Sequence, residues 1–533
     1  LPIYEQAIAL CYQLYQQKKS AYYLEEAFAF SELGKATLLQ ESLKSDAAGN
    51  HLSVPDSLRQ QERKLQRDIA FYKEQLFLLP PETTNESDSS QQAIWEKKVF
   101  ALENDYLALT KRLELEYPAY YQTKYSFTTP TISQVQAYLG AGQMLFEYYW
   151  GDSDLYVFRI RKSELALQQL PIDAKLEAAL VQCREFLGRP TASEAEMKQF
   201  QVDAHHLYTV LIDNLPDGIE SLILVPDGPL AYLPFDILLS QASEAGSDLR
   251  YHELPYLLKT HRLYYQYSSA LLLEEGLSDQ KASIAYGGFA PTYPASPNAS
   301  RISRDLLAQP LAQLAFTKEE VQNTQKIFGG QVRLGEEATK ARFLQEASEY
   351  ELLHLAMHGL LSGEKSEFAA LAFFPDSDSA ASFLLSTNEI AAMELKARLV
   401  VLSACETGGG RLQRGEGVMS MGRAFREAGV PNVLMSLWAA DDKSATILMQ
   451  DFFARLQQGS SVAESIREAK LSLMKGQLLQ SHPYYWAGFV PLGNPDQNGR
   501  SPLLPLSILL FVAVAGIGFA ASSAKPADNS SDA

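Results

Sequence analysis

Cysteine is scarce in this chain, and positive charge is in deficit. The 533 residues include three cysteines, Cys11, Cys183 and Cys405. An odd and sparse set of thiols does not make a disulfide framework, which indicates a reducing compartment. Lysine and arginine total 46 against 64 acidic residues, so the formal net charge is −18. Phosphate backbones repel such a chain, and we therefore expect no nucleic-acid partner.

Motifs for nucleotides and metals are missing as well. The glycines after Cys405 do not complete a G-x-G-x-x-G fingerprint because Gln413 stands at its last position, and no G-x-x-x-x-G-K-[ST] run occurs. His354 and His358 have H-x-x-x-H spacing, but Leu355 stands where a zinc protease needs glutamate. We expect no cofactor and no metal. On one strand the two histidines would face the same way, and we interpret His354 as structural or orienting.

Two strand-like stretches end in residues that can carry chemistry. Residues 399–402 are apolar and partly β-branched, which predicts a buried strand, and a small-residue turn with Cys405 follows. The stretch 351–359, ELLHLAMHG, has the same design and ends in His358 and Gly359. Adjacent parallel strands would bring both side chains to one edge of a sheet, where open α/β proteins place their active sites.

A thiol and an imidazole at one edge can act as a nucleophile and its base. His358 would take the proton of Cys405, because only the thiolate attacks. The backbone N–H groups of Gly359 and Cys405 would stabilise the oxyanion, since both residues are predicted to lie in turns. A small buried hydrophobe is the alternative role for Cys405. Acyl transfer to an acceptor other than water uses the same residues and stays open.

The first 129 residues are predicted to be helical. Residues 1–50 carry apolar side chains at helical spacing and resemble the last tetratricopeptide unit of an array that is truncated upstream. Residues 51–129 predict a helical hairpin, with helices at 55–79 and 91–117 and a polar loop between them. A structural hairpin is the favoured interpretation over a partner-binding coil.

From residue 130 the pattern changes to that of an α/β domain, which we place at residues 130–497. Antiparallel strands are predicted from residue 142, and residues 291–312 are predicted to be a flexible loop. From residue 316 helices and strands alternate, and we include residues 371–374 among these strands. That alternation predicts a mostly parallel sheet covered by helices on both faces.

Two features follow the central motifs along the chain. Asp441 and Asp442 come just after an apolar strand, so one is expected to cap a helix and the other to bind a basic group of a substrate. Residues 503–521 are uncharged and almost wholly apolar, which predicts a transmembrane helix rather than a buried core helix. Residues 522–533 would form a short polar tail beyond it.

These motifs together resemble the CHAT family, caspase-like peptidase domains that accompany tetratricopeptide repeats in bacteria. The resemblance rests on SACETG with Cys405, AMHG with His358, GEGV, SLWAADD and HPYYWAGFVPLG. It implies a caspase–haemoglobinase α/β fold, a Cys405–His358 dyad and control by the repeat region. Met357 stands where the family usually has threonine, and this change leaves the dyad intact.

The residues and the resemblance together predict a cysteine endopeptidase that hydrolyses peptide bonds in protein substrates. A protein regulator would bind through the helical region. The expected location is a bacterial inner membrane, with a single-pass C-terminal anchor and a cytoplasmic catalytic domain. The alternative is a catalytically silent, membrane-tethered scaffold that binds partners through its tetratricopeptide-like helices.

Overall fold

A computed structural model describes twelve stretches of the chain. They are residues 2–35, 54–77, 86–118, 129–242, 250–273, 282–293, 311–361, 369–375, 383–403, 417–438, 440–476 and 479–493. The predictions for Cys405, for the glycines that follow it and for residues 503–533 lie outside these stretches.

Helices and strands are numbered in chain order. The α-helices are α1 Pro2–Lys18, α2 Tyr22–Gly34, α3 Asp56–Phe77, α4 Glu86–Glu116, α5 Ile132–Tyr138, α6 Ala174–Leu187, α7 Glu194–Leu211, α8 Ser269–Leu273, α9 Thr317–Phe328, α10 Lys340–Glu346, α11 Thr387–Ala391, α12 Gly417–Glu427, α13 Asp442–Gln457 and α14 Val462–Met474. The strands are β1 Gln143–Trp150, β2 Asp154–Arg161, β3 Glu164–Pro171, β4 Ser221–Val225, β5 Arg262–Tyr265, β6 Ile284–Pro291, β7 Gln331–Gly335, β8 Tyr350–Leu355, β9 Gly359–Leu361, β10 Ala369–Ala372, β11 Leu384–Ser386, β12 Leu399–Leu402, β13 Asn432–Ser436 and β14 Phe489–Gly493.

One large sheet organises the α/β part of the molecule. Among the described residues, eleven strands join it in the order β3-β2-β1-β4-β5-β14-β13-β12-β8-β6-β7. Neighbours pair antiparallel at β1–β2, β2–β3 and β13–β14, and the other neighbours pair in parallel. Strands such as β4 and β12 are buried along their whole length, as expected of parallel strands with helices on both faces. The prediction of a mixed α/β fold with a mostly parallel sheet is confirmed.

A helical region precedes the sheet. Helices α1 and α2 pack on each other, and α3 pairs with α4 along a seam that includes Leu58, Leu65, Leu102 and Leu109. Helix α4 begins at Glu86, so the predicted polar loop is shorter than expected and its last residues are helical. The predicted domain boundaries stay predictions.

Helix α2 is joined to the sheet through buried polar groups. Glu32 accepts the backbone N–H groups of Ser269 at 2.9 Å and Ala270 at 2.7 Å. Lys35 lies 3.0 Å from Glu147 of β1, and both side chains are largely removed from solvent. Polar groups in such a place must be paired, so these contacts constrain how α2 sits against β1 and α8.

The prediction for residues 371–374 needs correction. This stretch does not continue the parallel sheet: β10 pairs antiparallel with β9 and β11 in a separate sheet of three strands. Leu360, Ala370, Ala372 and Leu384 share an apolar cluster there with Tyr293. The small sheet therefore buries its apolar side chains in a separate cluster, without joining the large sheet.

The predicted membrane anchor is also corrected. Within the part of the chain that the structure describes, no helix is both long and apolar enough to cross a bilayer. Residues 503–521, on which the prediction rested, lie outside that part. None of the described helices therefore supports the single-pass anchor, and the predicted inner-membrane location is corrected with it.

Candidate active site

Strands β8 and β12 lie side by side in parallel, as predicted. Their register pairs Leu355 with Leu402, and the N–H of Ser403 donates to the carbonyl of Leu355 at 3.3 Å. The polypeptide therefore leaves β8 and β12 at the same edge of the sheet. In sequence, β8 is followed by His358 and β12 by Cys405. Cys405 lies outside the described residues, so no distance joins it to His358.

His358 lies beyond the end of β8 and not on it. The expectation that His354 and His358 face the same way from one strand is therefore wrong. His354 is in β8, whereas the chain bends after Leu355, and β9 of the small sheet begins directly after His358. Both histidines are fully buried, and they belong to separate hydrogen-bond networks.

A backbone carbonyl fixes the tautomer of His358. Nε2 of this ring lies 2.6 Å from the carbonyl oxygen of Ala312. Because a carbonyl oxygen only accepts, Nε2 must carry the proton. In the neutral ring the lone pair is then on Nδ1, and this nitrogen can act as a base.

The hydroxyl of Tyr293 holds the backbone at His358. It accepts the N–H of His358 at 3.2 Å and donates to the carbonyl of Ala372 at 2.7 Å. In return, the N–H of Ala372 donates to the carbonyl of His358 at 2.9 Å. The Tyr293 and His358 rings lie 4.8 Å apart between centroids. The tyrosine thus replaces one direct hydrogen bond of the antiparallel ladder with a bridge.

The same ladder settles the direction of the Gly359 amide. Hydrogen-bonded and non-hydrogen-bonded pairs alternate along antiparallel strands. His358 and Ala372 form a bonded pair, so Gly359 and Leu371, the next pair in register, do not exchange hydrogen bonds. The N–H of Gly359 consequently points away from β10.

Asp441 and Asp442 both make hydrogen bonds to backbone N–H groups. Asp441 caps helix α13 by accepting the N–H of Ser444 at 2.9 Å. Burial and then the Asp441 charge raise the pKa of Tyr484. Asp442 accepts the N–H of Phe316 at 2.9 Å, and burial raises its pKa. The capping role expected of one aspartate falls to Asp441.

Sequence reasoning missed the two residues that contact His358 most directly. Tyr293 and Ala312 lie at the ends of the stretch 291–312, which was predicted to be a flexible loop. A tyrosine among proline, serine and alanine residues was the only local signal. The carbonyl of Ala312 could not have been found, because any residue can supply one.

The other thiols lie in unsuitable places for a nucleophile. Cys11 and Cys183 are buried, and burial raises the pKa of each thiol, that of Cys183 strongly. Such thiols are inert because little thiolate forms. In the described ranges, no group of three or more histidine, cysteine, aspartate or glutamate residues is arranged to hold a metal ion.

The structure is that of a mixed α/β protein with a candidate site at one edge of its sheet, and a comparison with protein families identifies the family. A model of the CHAT domain matches residues 201–494, more than half of the chain. The chain therefore belongs to the CHAT domain family.

Two mammalian proteins are among the relatives. Both are named Tetratricopeptide repeat protein 28. The Mus musculus protein is 25% identical over 350 residues, and the Homo sapiens protein is 25% identical over 337 residues. Each alignment covers 56% of this chain and 13% of the relative, so the chain spans a small part of their length. A bacterial source, which the resemblance had implied, gains no support from them.

Solved structures give weaker matches. A crystal structure of the Saccharomyces cerevisiae separase–securin complex aligns with a TM-score of 0.40 and 11% identity, over 89% of this chain and 41% of that one. A structure described as a protease aligns with a TM-score of 0.31 and 13% identity, over 62% and 76%. The fold assignment rests on the strand order and on the family.

Proposed function

We propose that this CHAT domain is a cysteine endopeptidase in which His358 activates Cys405. The observation that carries the proposal is the parallel pairing of β8 and β12, with His358 shortly after one strand and Cys405 shortly after the other. The contact between His358 and Ala312 supports it further, because it leaves Nδ1 as the basic nitrogen. Family membership agrees with this chemistry.

The reaction runs in two halves. Nδ1 of His358 takes the proton from the thiol of Cys405, and the thiolate forms a C–S bond with the carbonyl carbon of the peptide. The amides of Gly359 and Cys405 hold the oxyanion. On collapse the C–N bond breaks, and the imidazolium gives its proton to the departing amine. Water, deprotonated by His358, then cleaves the thioester and releases the acid.

We also propose that the region around Asp441 and Asp442 binds a basic side chain that precedes the scissile bond of the substrate. Burial and then the charge of Asp441 raise the pKa of Tyr484, and the indole N–H of Trp438 donates to the Tyr484 carbonyl at 3.0 Å. Aromatic faces and a carboxylate together suit a guanidinium or an ammonium group. Asp442 would add charge next to it.

A protein regulator is the partner we assign to the helical region. Two relatives are named as tetratricopeptide repeat proteins, and stacked helical repeats form extended surfaces that bind other proteins. The contacts of Glu32 and Lys35 join α2 to α8 and to β1 of the sheet. A movement of α2 on binding a regulator would therefore be transmitted to the α/β domain through these contacts.

Cleavage of a peptide library tests the proposal. The chain, Cys405→Ala and His358→Ala would be incubated with the library, and new termini would be read by mass spectrometry. We expect cleavage after basic residues by the unaltered chain and none by either variant. Cleavage that persists in Cys405→Ala would refute the dyad. A chain that stays silent even with a regulator bound would favour the scaffold.

A further inference from the structure

A buried acid–imidazole pair lies next to the candidate active site, and the proposed chemistry does not use it. His354 is 0% exposed and Glu320 is 4% exposed, with Nε2 of the ring 2.7 Å from Oε1 of the carboxylate. The same Nε2 lies 3.1 Å from the hydroxyl of Ser403. Nδ1 lies 3.0 Å from the hydroxyl of Tyr286. The second oxygen of Glu320 accepts the Thr446 hydroxyl at 3.2 Å.

These residues do not form a second catalytic triad. In a serine triad the acid and the serine bind opposite nitrogens of the imidazole. Here Glu320 and Ser403 both approach Nε2 of His354, so the ring has no basic nitrogen facing the serine. Ser403 is also 1% exposed, which leaves a substrate no access to it.

Ser403 connects the Glu320–His354 pair to the chain segment that carries Cys405. It directly follows β12, and Cys405 stands two residues further along the chain. Its N–H donates to Leu355 at 3.3 Å and its hydroxyl contacts His354, so both contacts are with β8. The chain that leaves β12 toward the thiol is therefore held to the strand that leads to His358.

Glu320 links this contact to the residues around the imidazole. It lies on α9, which begins directly after the segment 311–316. Within that segment Ala312 accepts Nε2–H of His358, and Phe316 is held by Asp442 at the start of α13. Through His354, the carboxylate of Glu320 thus connects the helix that follows the segment orienting the base with Ser403, two residues before the nucleophile.

The pair also fits a positioning role energetically. Polar groups taken out of water must be hydrogen-bonded, and loss of one partner leaves the other buried and unsatisfied. A dyad depends on sub-ångström placement of its atoms, which locked side chains with buried hydrogen bonds can provide.

We propose that Glu320, His354 and Ser403 form a brace that positions the Cys405 segment against β8 and the His358 base. We call these three residues the Ser403 brace. They are positioning residues and touch no substrate. The inference rests on the proposed function for the role of Cys405, but the brace itself is made of described residues and has its own test.

Hydrogen–deuterium exchange is the first arm of that test. Exchange of peptides covering residues 399–406 would be compared in the unaltered chain, Ser403→Ala, Glu320→Gln and Glu320→Ala. We expect roughly tenfold faster exchange in the two alanine variants, and near-normal exchange in Glu320→Gln, whose amide oxygen still accepts from His354. Ser465→Ala is the control. It also removes a fully buried serine hydroxyl, but from helix α14, and it should leave the exchange rate of these peptides unchanged. Normal exchange in both alanine variants would overturn the brace.

Labelling of Cys405 is the second arm. A peptide-based electrophile needs an aligned site, whereas iodoacetamide needs only a reachable thiolate. We expect Ser403→Ala to lower the labelling rate by the peptide reagent about tenfold and to lower the iodoacetamide rate less, because that reagent depends on the thiolate fraction but not on an aligned site. Faster exchange with normal peptide labelling would overturn the positioning role. Faster exchange in a chain whose Cys405 resists both reagents would support the brace as an anchor and refute the proposed function instead.

Discussion

His358 is held at three polar atoms by groups that come from outside β8. Tyr293 and Ala372 bind its backbone, and Ala312 binds Nε2. Each of these bonds removes a rotational freedom that the imidazole would otherwise have to lose during the reaction. The ring is therefore preorganised with Nδ1 as its basic nitrogen.

The Tyr293 hydroxyl is predicted to matter beyond its effect on stability. Tyr293→Phe keeps the ring but leaves the His358 N–H and the Ala372 carbonyl without their bridge, which should cost about 1–3 kcal/mol. We also expect the rate of Cys405 labelling by a peptide electrophile to fall about tenfold. Urea unfolding and labelling kinetics measure the two effects.

Tyr265→Phe is the matched control for this prediction. The Tyr265 hydroxyl also accepts a buried backbone N–H, that of Phe235 at 2.8 Å, and lies 3.5 Å from Asp236. Its removal should lower stability by a similar amount and leave the labelling rate unchanged. Equal losses of labelling in both variants would show that Tyr293 acts through stability alone.

His482 is predicted to make the fold sensitive to acid. Burial lowers its pKa from 6.5 to about 4. The folded state therefore resists protonation, while the unfolded chain takes up a proton once the pH drops below 6.5. Stability from this residue is full above pH 6.5 and declines as the pH falls to 4, by about 3 kcal/mol.

His482→Asn isolates this effect. The Nδ1 atom of His482 accepts the N–H of Tyr484 at 3.1 Å, and an asparagine oxygen can take over that role without titrating. Urea unfolding at pH 7, 5.5 and 4 should show a smaller acid loss in the variant than in the unaltered chain. Identical pH dependence in the two proteins would rule out His482 as the source.

At the scale of elements, the helix-capping role of Asp441 at the start of α13 can be separated from the substrate-binding role proposed for it. Asp441→Asn keeps an oxygen that caps Ser444 but loses the charge, whereas Asp441→Ala loses both. We expect the asparagine variant to unfold like the unaltered chain and the alanine variant to lose about 1 kcal/mol. Both should cleave basic peptides less well if Asp441 recognises the substrate.

Thermal unfolding together with hydrolysis of paired basic and neutral peptides distinguishes the two roles. A selective loss with basic peptides in Asp441→Asn would support the assignment of substrate recognition. Unchanged selectivity would restrict Asp441 to helix capping.

The elements differ in how far the sequence predicts them. Strands β8 and β12 are continuous apolar runs with a small-residue exit, and such runs have few other places than the middle of a parallel sheet. The run that includes β10 looks the same, yet it pairs antiparallel in the small sheet. Periodicity reports burial and not the identity of the neighbouring strand, so the two cases could not be told apart.

The residues of the candidate site also differ in how far the sequence predicts them. His358 and Gly359 stand out because they end an apolar run, and a histidine and a glycine have few structural reasons to be there. Tyr293, Ala312 and Glu320 come close only after residues distant in sequence are brought together. Their contributions depend on geometry that no local pattern carries.

At the scale of the whole molecule, the helical region and the sheet meet at Glu32. Its two carboxylate oxygens accept the N–H groups of Ser269 and Ala270 at the start of α8. Glu32→Ala would leave two buried N–H groups unsatisfied, and we expect a loss of about 3 kcal/mol or more at this junction.

Limited proteolysis followed by mass spectrometry measures the result. In Glu32→Ala, cleavage within residues 2–35 should become faster while the CHAT domain stays protected. Glu25→Ala, on the exposed side of the same helix, is the control and should behave like the unaltered chain. Equal protection of α2 in both variants would show that Glu32 does not hold the junction.

The central claim is that His358 activates Cys405, and labelling with a thiol-directed peptide electrophile across pH tests it most directly. The account predicts that Cys405 alone is labelled, with a thiol pKa below the ordinary value near 8.5. Labelling should disappear in Cys405→Ala and slow strongly at neutral pH in His358→Ala, while Cys11 and Cys183 stay unmodified. A Cys405 that titrates normally and reacts equally well without His358 would contradict the account.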